Sequence, residues 1–174
     1  MTLNINGHYF PKSDRDNFGE EVGMFDYDFR WHVGDRLAVL SDGYFDTFQD
    51  GLNTASLGLA ANRPEQSDVY LGFRAIDGPI NSKTLNLRVN YRLSHKWVFR
   101  ASNSWDFGST GQIGQTVGAT YIGESFLWYA GTNIDYSRDN IGFVFSVEPR
   151  GIKGGRLSRL GGATIPPPGV LGVE

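Results

Sequence analysis

The chain contains no cysteine. That excludes a disulfide framework, a thiol nucleophile and a thiolate-ligated zinc, and it leaves the redox compartment unreadable from thiols. Excess positive charge is also lacking. The formal net charge is -3 with 20% charged residues, which speaks against both a general nucleic-acid footprint and disorder by self-repulsion. No run of about 18 apolar residues is present, so a transmembrane helix is excluded. A membrane-spanning β-barrel is not, because its strands need only about 9 to 11 residues of alternating polarity. A mean hydropathy of -0.32 therefore decides nothing. Met1 to Phe10 show neither a basic n-region nor an apolar h-region, so an exported form is expected to carry its leader upstream of Met1. What is present is 174 residues, 40% hydrophobic and 14% aromatic, with 23 glycines, a size that suits one domain.

The dominant signal is a period of two. In KTLNLRVNYRLS, Leu85, Leu87, Val89, Tyr91 and Leu93 alternate with Thr84, Asn86, Arg88, Asn90 and Arg92, which predicts a strand. TLNINGHYF sets Leu3, Ile5 and Tyr9 against Asn4, Asn6 and His8. VGMFDYDFRWH sets Phe25, Tyr27, Phe29 and Trp31 against Asp26, Asp28, Arg30 and His32. FLWYAGTNIDY and IGFVFSVE repeat the rule, with Asn133, Asp135, Ser146 and Glu148 on their polar sides. Weaker strands are expected at about 36–47, 54–61, 68–76, 97–106 and 113–122, the fourth interrupted on its apolar side by Asn103. About ten strands and no convincing helical period predict an all-β chain over 1–149. From 150 to 174, glycines and a triple proline predict a flexible tail, with Lys153, Arg156 and Arg159 as a conceivable anionic-lipid contact.

The connections point to an architecture. Gly34-Asp35, Ser94-His95-Lys96 and Gly123-Glu124-Ser125 are tight turns by composition. With the Asn62 to Gln66 link they fall on one end of an up-and-down meander. The other end receives mostly longer segments such as PKSDRDNFG, DGPINS and FGSTGQ. Outer-membrane barrels have this asymmetry. Alternation alone does not say which face is dry, and a soluble ligand-binding β-barrel or sandwich obeys the same pattern. The composition of the polar side favours the membrane reading: it carries Asn, Arg, Asp, Ser, Thr and Gly, and only four lysines occur in the whole chain. Small residues and opposite charges that pair across strands suit a narrow polar lumen. The apolar side ends in large aromatics, and Tyr91, Trp97, Trp105, Trp128 and Tyr136 are the candidates for the membrane interfaces, where an amphipathic ring keeps one edge wet.

The stretch YRLSHKWVFRASNSWDFGSTGQIGQTVGATYIGESFLWYAGTNIDYSRDNIGFVFSVEPR, within Lys83 to Arg150, resembles the C-terminal barrel strands of the LPS-assembly protein LptD, or organic-solvent-tolerance, family. The likeness lies in YRLSHKW, the strand ending WDF, and the closing hairpin. The resemblance implies a transmembrane barrel in the bacterial outer membrane, lipopolysaccharide as cargo, and a plug lipoprotein as partner. It would make Ile141 to Glu148 one side of a lateral seam. Members of that family carry a periplasmic domain, cysteines and far more strands, so the resemblance implies a C-terminal piece of a longer protein or a small relative. A stand-alone small barrel acting as anchor or narrow pore is the alternative.

The candidate lumen residues are Asn86, Arg88, Asn90, Arg92, Arg100, Asp106, Asn133 and Asp135. Arg88 and Arg92 would hold phosphate if the cargo is lipopolysaccharide; the plainer expectation is that both balance Asp106 and Asp135. Asp26, Asp28, Arg30 and His32 share a face and could do acid–base work, but a self-neutralising row explains them better. His8, His32 and His95 lack metal-ligand spacing. DRDNFGEE fails as a calcium loop because Phe18 stands at a ligand position and no Glu closes it. The glycines at 108, 111, 114 and 118 precede no helix that would make them a phosphate loop. No enzyme activity, catalytic residue, metal or cofactor is expected, and nucleic acid is not expected as a partner.

Overall fold

The computed structural model describes residues 1–48, 51–79, 81–108 and 111–150, so the tail from 151 onward lies outside the described residues. The chain is all-β. Its strands are β1 (Thr2–Tyr9), β2 (Val22–Val33), β3 (Leu37–Asp46), β4 (Asn53–Arg63), β5 (Ser67–Asp77), β6 (Ser82–Arg92), β7 (Trp97–Asp106), β8 (Gly111–Ile122), β9 (Phe126–Asp135) and β10 (Asn140–Pro149). They form one sheet in sequence order. Neighbours run antiparallel, as connections too short for a crossover require. Every predicted strand is present, including the weaker ones.

The connections divide by end. β2–β3, β4–β5, β6–β7 and β8–β9 are joined by three or four residues, whereas the other end carries connections of four to twelve. Gly34 at φ 69° and Glu65 at φ 66° turn two of the short ones in the left-handed region. The longest loop holds one feature the period-two pattern does not announce, a single helical turn α1 (Ser13–Asp16). Its acidic residues are local: Asp16 takes the Arg15 guanidinium at 2.6 Å, which holds Arg15 above its ordinary pKa. Asn17, buried nearby, donates its side-chain amide to the Glu20 carbonyl at 2.8 Å.

Registers fix the faces. In β2–β3–β4, Trp31↔Val39↔Leu59 and Phe29↔Ser41↔Leu57 align the apolar side, and Asp28↔Asp42↔Ser56 aligns the polar side. In β8–β9–β10, Ala119↔Ala130↔Phe145 and Thr120↔Tyr129↔Ser146 do the same. Two compact units are distinguishable. The first comprises Met1–Ala61, Tyr70–Asn86 and Trp105–Gly111, and the second comprises Asn62–Val69, Leu87–Ser104 and the chain from Gln112.

Among the described residues the large apolar side chains are mostly exposed. The only large apolar residues buried among the described ones are Val98, Ile122, Leu127 and Tyr129, all in the second unit and all on the polar face. Thirty-one large hydrophobics are exposed, including all four tryptophans. Asn90, Arg100 and Thr120 are buried. Val98, Ile122 and Leu127 sit at the short-turn ends of their strands, with Ile122 directly opposite Leu127 across the Gly123–Ser125 turn. They close a small apolar knot on an otherwise polar face.

Above this knot, Tyr129 lies across the directly paired Gly118 and Gly131. A methyl group at either glycine would come within 2.5 Å of the Tyr129 hydroxyl oxygen, so both positions must lack a side chain for the ring to lie down. At Gly131 the methyl would also meet the Val117 carbonyl at 3.0 Å, whereas at Gly118 its three nearest neighbours all belong to Tyr129. Gly131→Ala is therefore expected to lower unfolding stability by about 1–3 kcal/mol, and by more than Gly118→Ala, whose methyl asks only a side chain to move. Urea titration of both variants checks the order, and a costlier Gly118→Ala would contradict the packing described.

Candidate functional site

Polar residues on four consecutive strands of the second unit converge on one place. Arg88 and Asn90 from β6, Arg100 and Ser102 from β7, Thr116 from β8 and Tyr129 from β9 line a cavity of about 140 Å³. The residues are brought there by their even spacing. Arg88 and Asn90 stand two apart on one strand face, as do Arg100 and Ser102, and adjacent antiparallel strands keep matching faces together. Arg100 is 8% exposed and Asn90 7%, while Arg88 is exposed. No carboxylate lines the cavity among the described residues.

The expected polar-face residues separate into two groups. Arg88, Asn90 and Arg100 are brought together at the cavity. Arg92 points to the same face of β6 but is not among the lining residues. Asn133 is opposite Thr116 and accepts its hydroxyl proton at 3.1 Å. Asn86 is exposed and is engaged with a neighbour. The two aspartates serve the loops. Asp106 accepts the Gly108 amide at 2.9 Å and the Lys83 amide at 3.4 Å. Asp135 accepts the Ser137 hydroxyl at 2.6 Å, its amide at 3.1 Å and the Arg138 amide at 3.3 Å. Its ion pair is with Arg138, at 3.8 Å. The balancing of Arg88 and Arg92 by Asp106 and Asp135 is thus not the arrangement found: these carboxylates satisfy turn amides at strand ends, a local role open to Asp in any β-turn.

The aromatic candidates lie exposed near strand ends: Tyr91 40%, Trp97 41%, Trp105 41%, Trp128 44% and Tyr136 45%. At the short-turn end of the second unit Trp97 contacts Tyr121, with ring centroids 5.1 Å apart, and Phe99 at 6.2 Å. At the opposite strand ends, in the first unit, Phe73 meets Phe107 at 6.2 Å and Phe25 stacks on Phe45 at 4.9 Å.

In the first unit the Asp26 to His32 row is largely spoken for. Asn6 donates to Asp26 at 2.9 Å, and Arg30 pairs with Asp28 at 3.0 Å. Asp42, directly opposite Asp28, accepts the Ser56 hydroxyl. Like charges facing across a ladder destabilise it, and each carboxylate here has a separate neighbour that offsets this. No cluster of three or more His, Asp or Glu suited to a metal occurs among the described residues. A scan against models of known protein families finds no match, and a search of curated proteins finds none.

One group opposite Tyr129 stands apart. The Thr120 side chain is fully buried, and its hydroxyl has no hydrogen-bond partner among the described residues. A buried hydroxyl without a partner keeps its desolvation cost, so its replacement by a methyl of similar shape is neutral to favourable. Thr120→Val is expected to leave stability unchanged or raise it by about 1 kcal/mol, measured as the shift in unfolding midpoint. A clear loss would mean that the hydroxyl is bonded.

Proposed function

We propose that this chain forms strands of an outer-membrane β-barrel of the LptD kind, a non-enzymatic part of the machinery that places lipopolysaccharide in the outer membrane. The observation that carries the membrane part is the inverted burial: four large apolar side chains are buried and thirty-one are exposed among the described residues. Soluble monomers rarely expose contiguous apolar patches beyond a few hundred Å², whereas hydrocarbon favours such a face. Strand lengths support the same reading. β2 to β10 have ten to twelve residues each, against about 9 to 11 needed to cross a tilted bilayer span. Exposed Trp and Tyr near strand ends suit the two interfaces. The lipopolysaccharide part rests on the sequence resemblance over Lys83 to Arg150, and the donor-rich polar face is compatible with a phosphorylated cargo.

Reconstitution of the full chain into phosphatidylcholine vesicles with brominated acyl chains tests the membrane reading. Tryptophan emission is expected to fall strongly relative to unbrominated vesicles, because bromine quenches only at contact and all four indoles are exposed. A chain that remains monodisperse without detergent, with emission indifferent to bromine, would instead be a soluble β-fold.

A further inference from the structure

We infer that the cavity between the β3–β4 and β5–β6 connections is a saccharide-binding site, with Asp77, Asn81 and Phe48 as the groups that hold one sugar ring. The two connections stand side by side at the longer-loop end of the first unit, because β4 and β5 are paired neighbours. Glycine lets them touch. Gly78 has a φ of 152°, and a methyl group there would meet the Leu52 Cα at 3.2 Å and the Gly51 carbonyl at 3.3 Å. The β3–β4 side is fixed from within: the Asp46 carboxylate accepts the Phe48 amide at 3.1 Å, and the Asp46 amide donates to the Asn53 side chain at 3.2 Å. The cavity measures about 630 Å³, and its lining includes Phe48, Asn53, Asp77 and Asn81. Pockets for small molecules span roughly 300–1,000 Å³.

The groups left over after internal bonding are those a sugar needs. Asn53 is spent on the Asp46 amide and the Gly51 carbonyl. Asn81 accepts the Gly78 amide at 3.1 Å through Oδ1, so its NH2 points away from Gly78 and keeps its hydrogens to give. Asp77 is exposed, and no partner takes its carboxylate among the described residues. A carboxylate accepts two neighbouring hydroxyls at once in charge-assisted bonds. An amide N–H donates to a hydroxyl or ring oxygen, and an aromatic ring such as Phe48 takes the apolar C–H side of a pyranose. Charge argues the same way. A single carboxylate repels anions, and with no second acid on the lining among the described residues it falls short of the oxygen-rich shell a divalent cation needs. A neutral molecule with adjacent hydroxyls satisfies all three groups. The inference does not rest on the membrane reading, because the cavity lies between connections and not on the apolar face. A free sugar and the head of a glycolipid present the same diol to it.

The experiment follows the Gly78 amide and the Asn81 side-chain amide by nitrogen–proton NMR of the full chain in dodecylphosphocholine, a detergent without sugar, with EDTA present to remove bridging cations. One arm titrates the methyl glycosides of glucose, galactose and mannose, and the other dopes the micelles with monogalactosyl diacylglycerol. Saturable shifts of both signals are expected in at least one arm. Saturation by a methyl glycoside assigns a free sugar, and saturation only in the lipid arm assigns a glycolipid head. Asp77→Asn should weaken binding about tenfold, equivalent to about 1.4 kcal/mol, and Phe48→Leu should weaken it too, while Asp35→Asn in the β2–β3 turn leaves it unchanged. Because Phe48 is half-buried and its loss can disturb the connection, the exposed Asp77→Asn is the deciding variant. No saturation in either arm, saturation that spares both signals, or saturation that Asp77→Asn leaves intact overturns the site. Bromine quenching does not read this cavity, so failure here and failure of the membrane reading are told apart.

Discussion

Successive residues on a β-strand point to opposite faces, and adjacent strands keep those faces in common. Each strand of the sheet, ordered as in the sequence, therefore has an apolar side and a polar side that its neighbours share. Everything else in this molecule follows from how each surface is covered. The apolar side offers leucines, phenylalanines and tryptophans with no second layer of protein over them among the described residues. In the second unit the polar side shelters Asn90, Arg100 and Thr120 together with a small knot of Val98, Ile122, Leu127 and Tyr129. That buried layer holds three polar and four apolar side chains among the described residues, while the large hydrophobics of the apolar face are mostly exposed.

Such an arrangement shifts the energetic balance of the polar side. With few apolar contacts to hold it, the surface depends on side chains that satisfy one another at close range, as Asn6 with Asp26, Arg30 with Asp28 and Thr116 with Asn133 do. Each exposed pair of this kind contributes little alone. Aromatic rings fill the space left by glycines in the first unit as in the second: Tyr70 covers Gly58 and Gly72. These rings stiffen a face that lacks a packed core. The cavity beside Tyr129 is where that filling stops and guanidinium groups line the wall instead.

The fold was largely legible in the sequence because its determinant is local. Perfect alternation in the Thr84–Leu93 segment and a looser alternation in the last hairpin, with turn chemistry at Gly34 and Gly123, need no knowledge of distant partners. The site was legible only by half. Arg88, Asn90 and Arg100 were each assignable to the polar face by parity. That Arg100 and Arg88 would share a cavity while Arg92 stays outside depends on the stagger between strands, which parity does not encode. The same limit explains Asp106 and Asp135: pairing with arginine was a plausible expectation from charge alone, but position at the last residue of a strand makes the next turn's amides the nearer donors. Val98, Ile122 and Leu127 break the polar parity, and the only cue was their closeness to tight turns. α1 is four residues long, too short for any periodicity to register.

The terminal strands impose a condition on any account of where the protein resides. The sheet order begins with β1 and ends with β10, and their side chains include the most exposed of the apolar face: Ile5 67%, Ile141 61%, Phe143 81% and Phe145 68%, against 53% or less for its leucines and phenylalanines on β4 to β7. In water, a flat apolar edge of this kind invites pairing with another strand. In hydrocarbon the requirement is stricter, since each backbone N–H or C=O left without a partner costs several kcal/mol. A ten-residue outer strand such as β10 carries a row of these groups along its far side. The membrane reading therefore demands that both end strands find hydrogen-bond partners, from this chain or from further strands of a larger barrel. Either solution preserves the polar cavity, because strand addition at an edge extends the ladder sideways and leaves the register of β6 to β9 untouched.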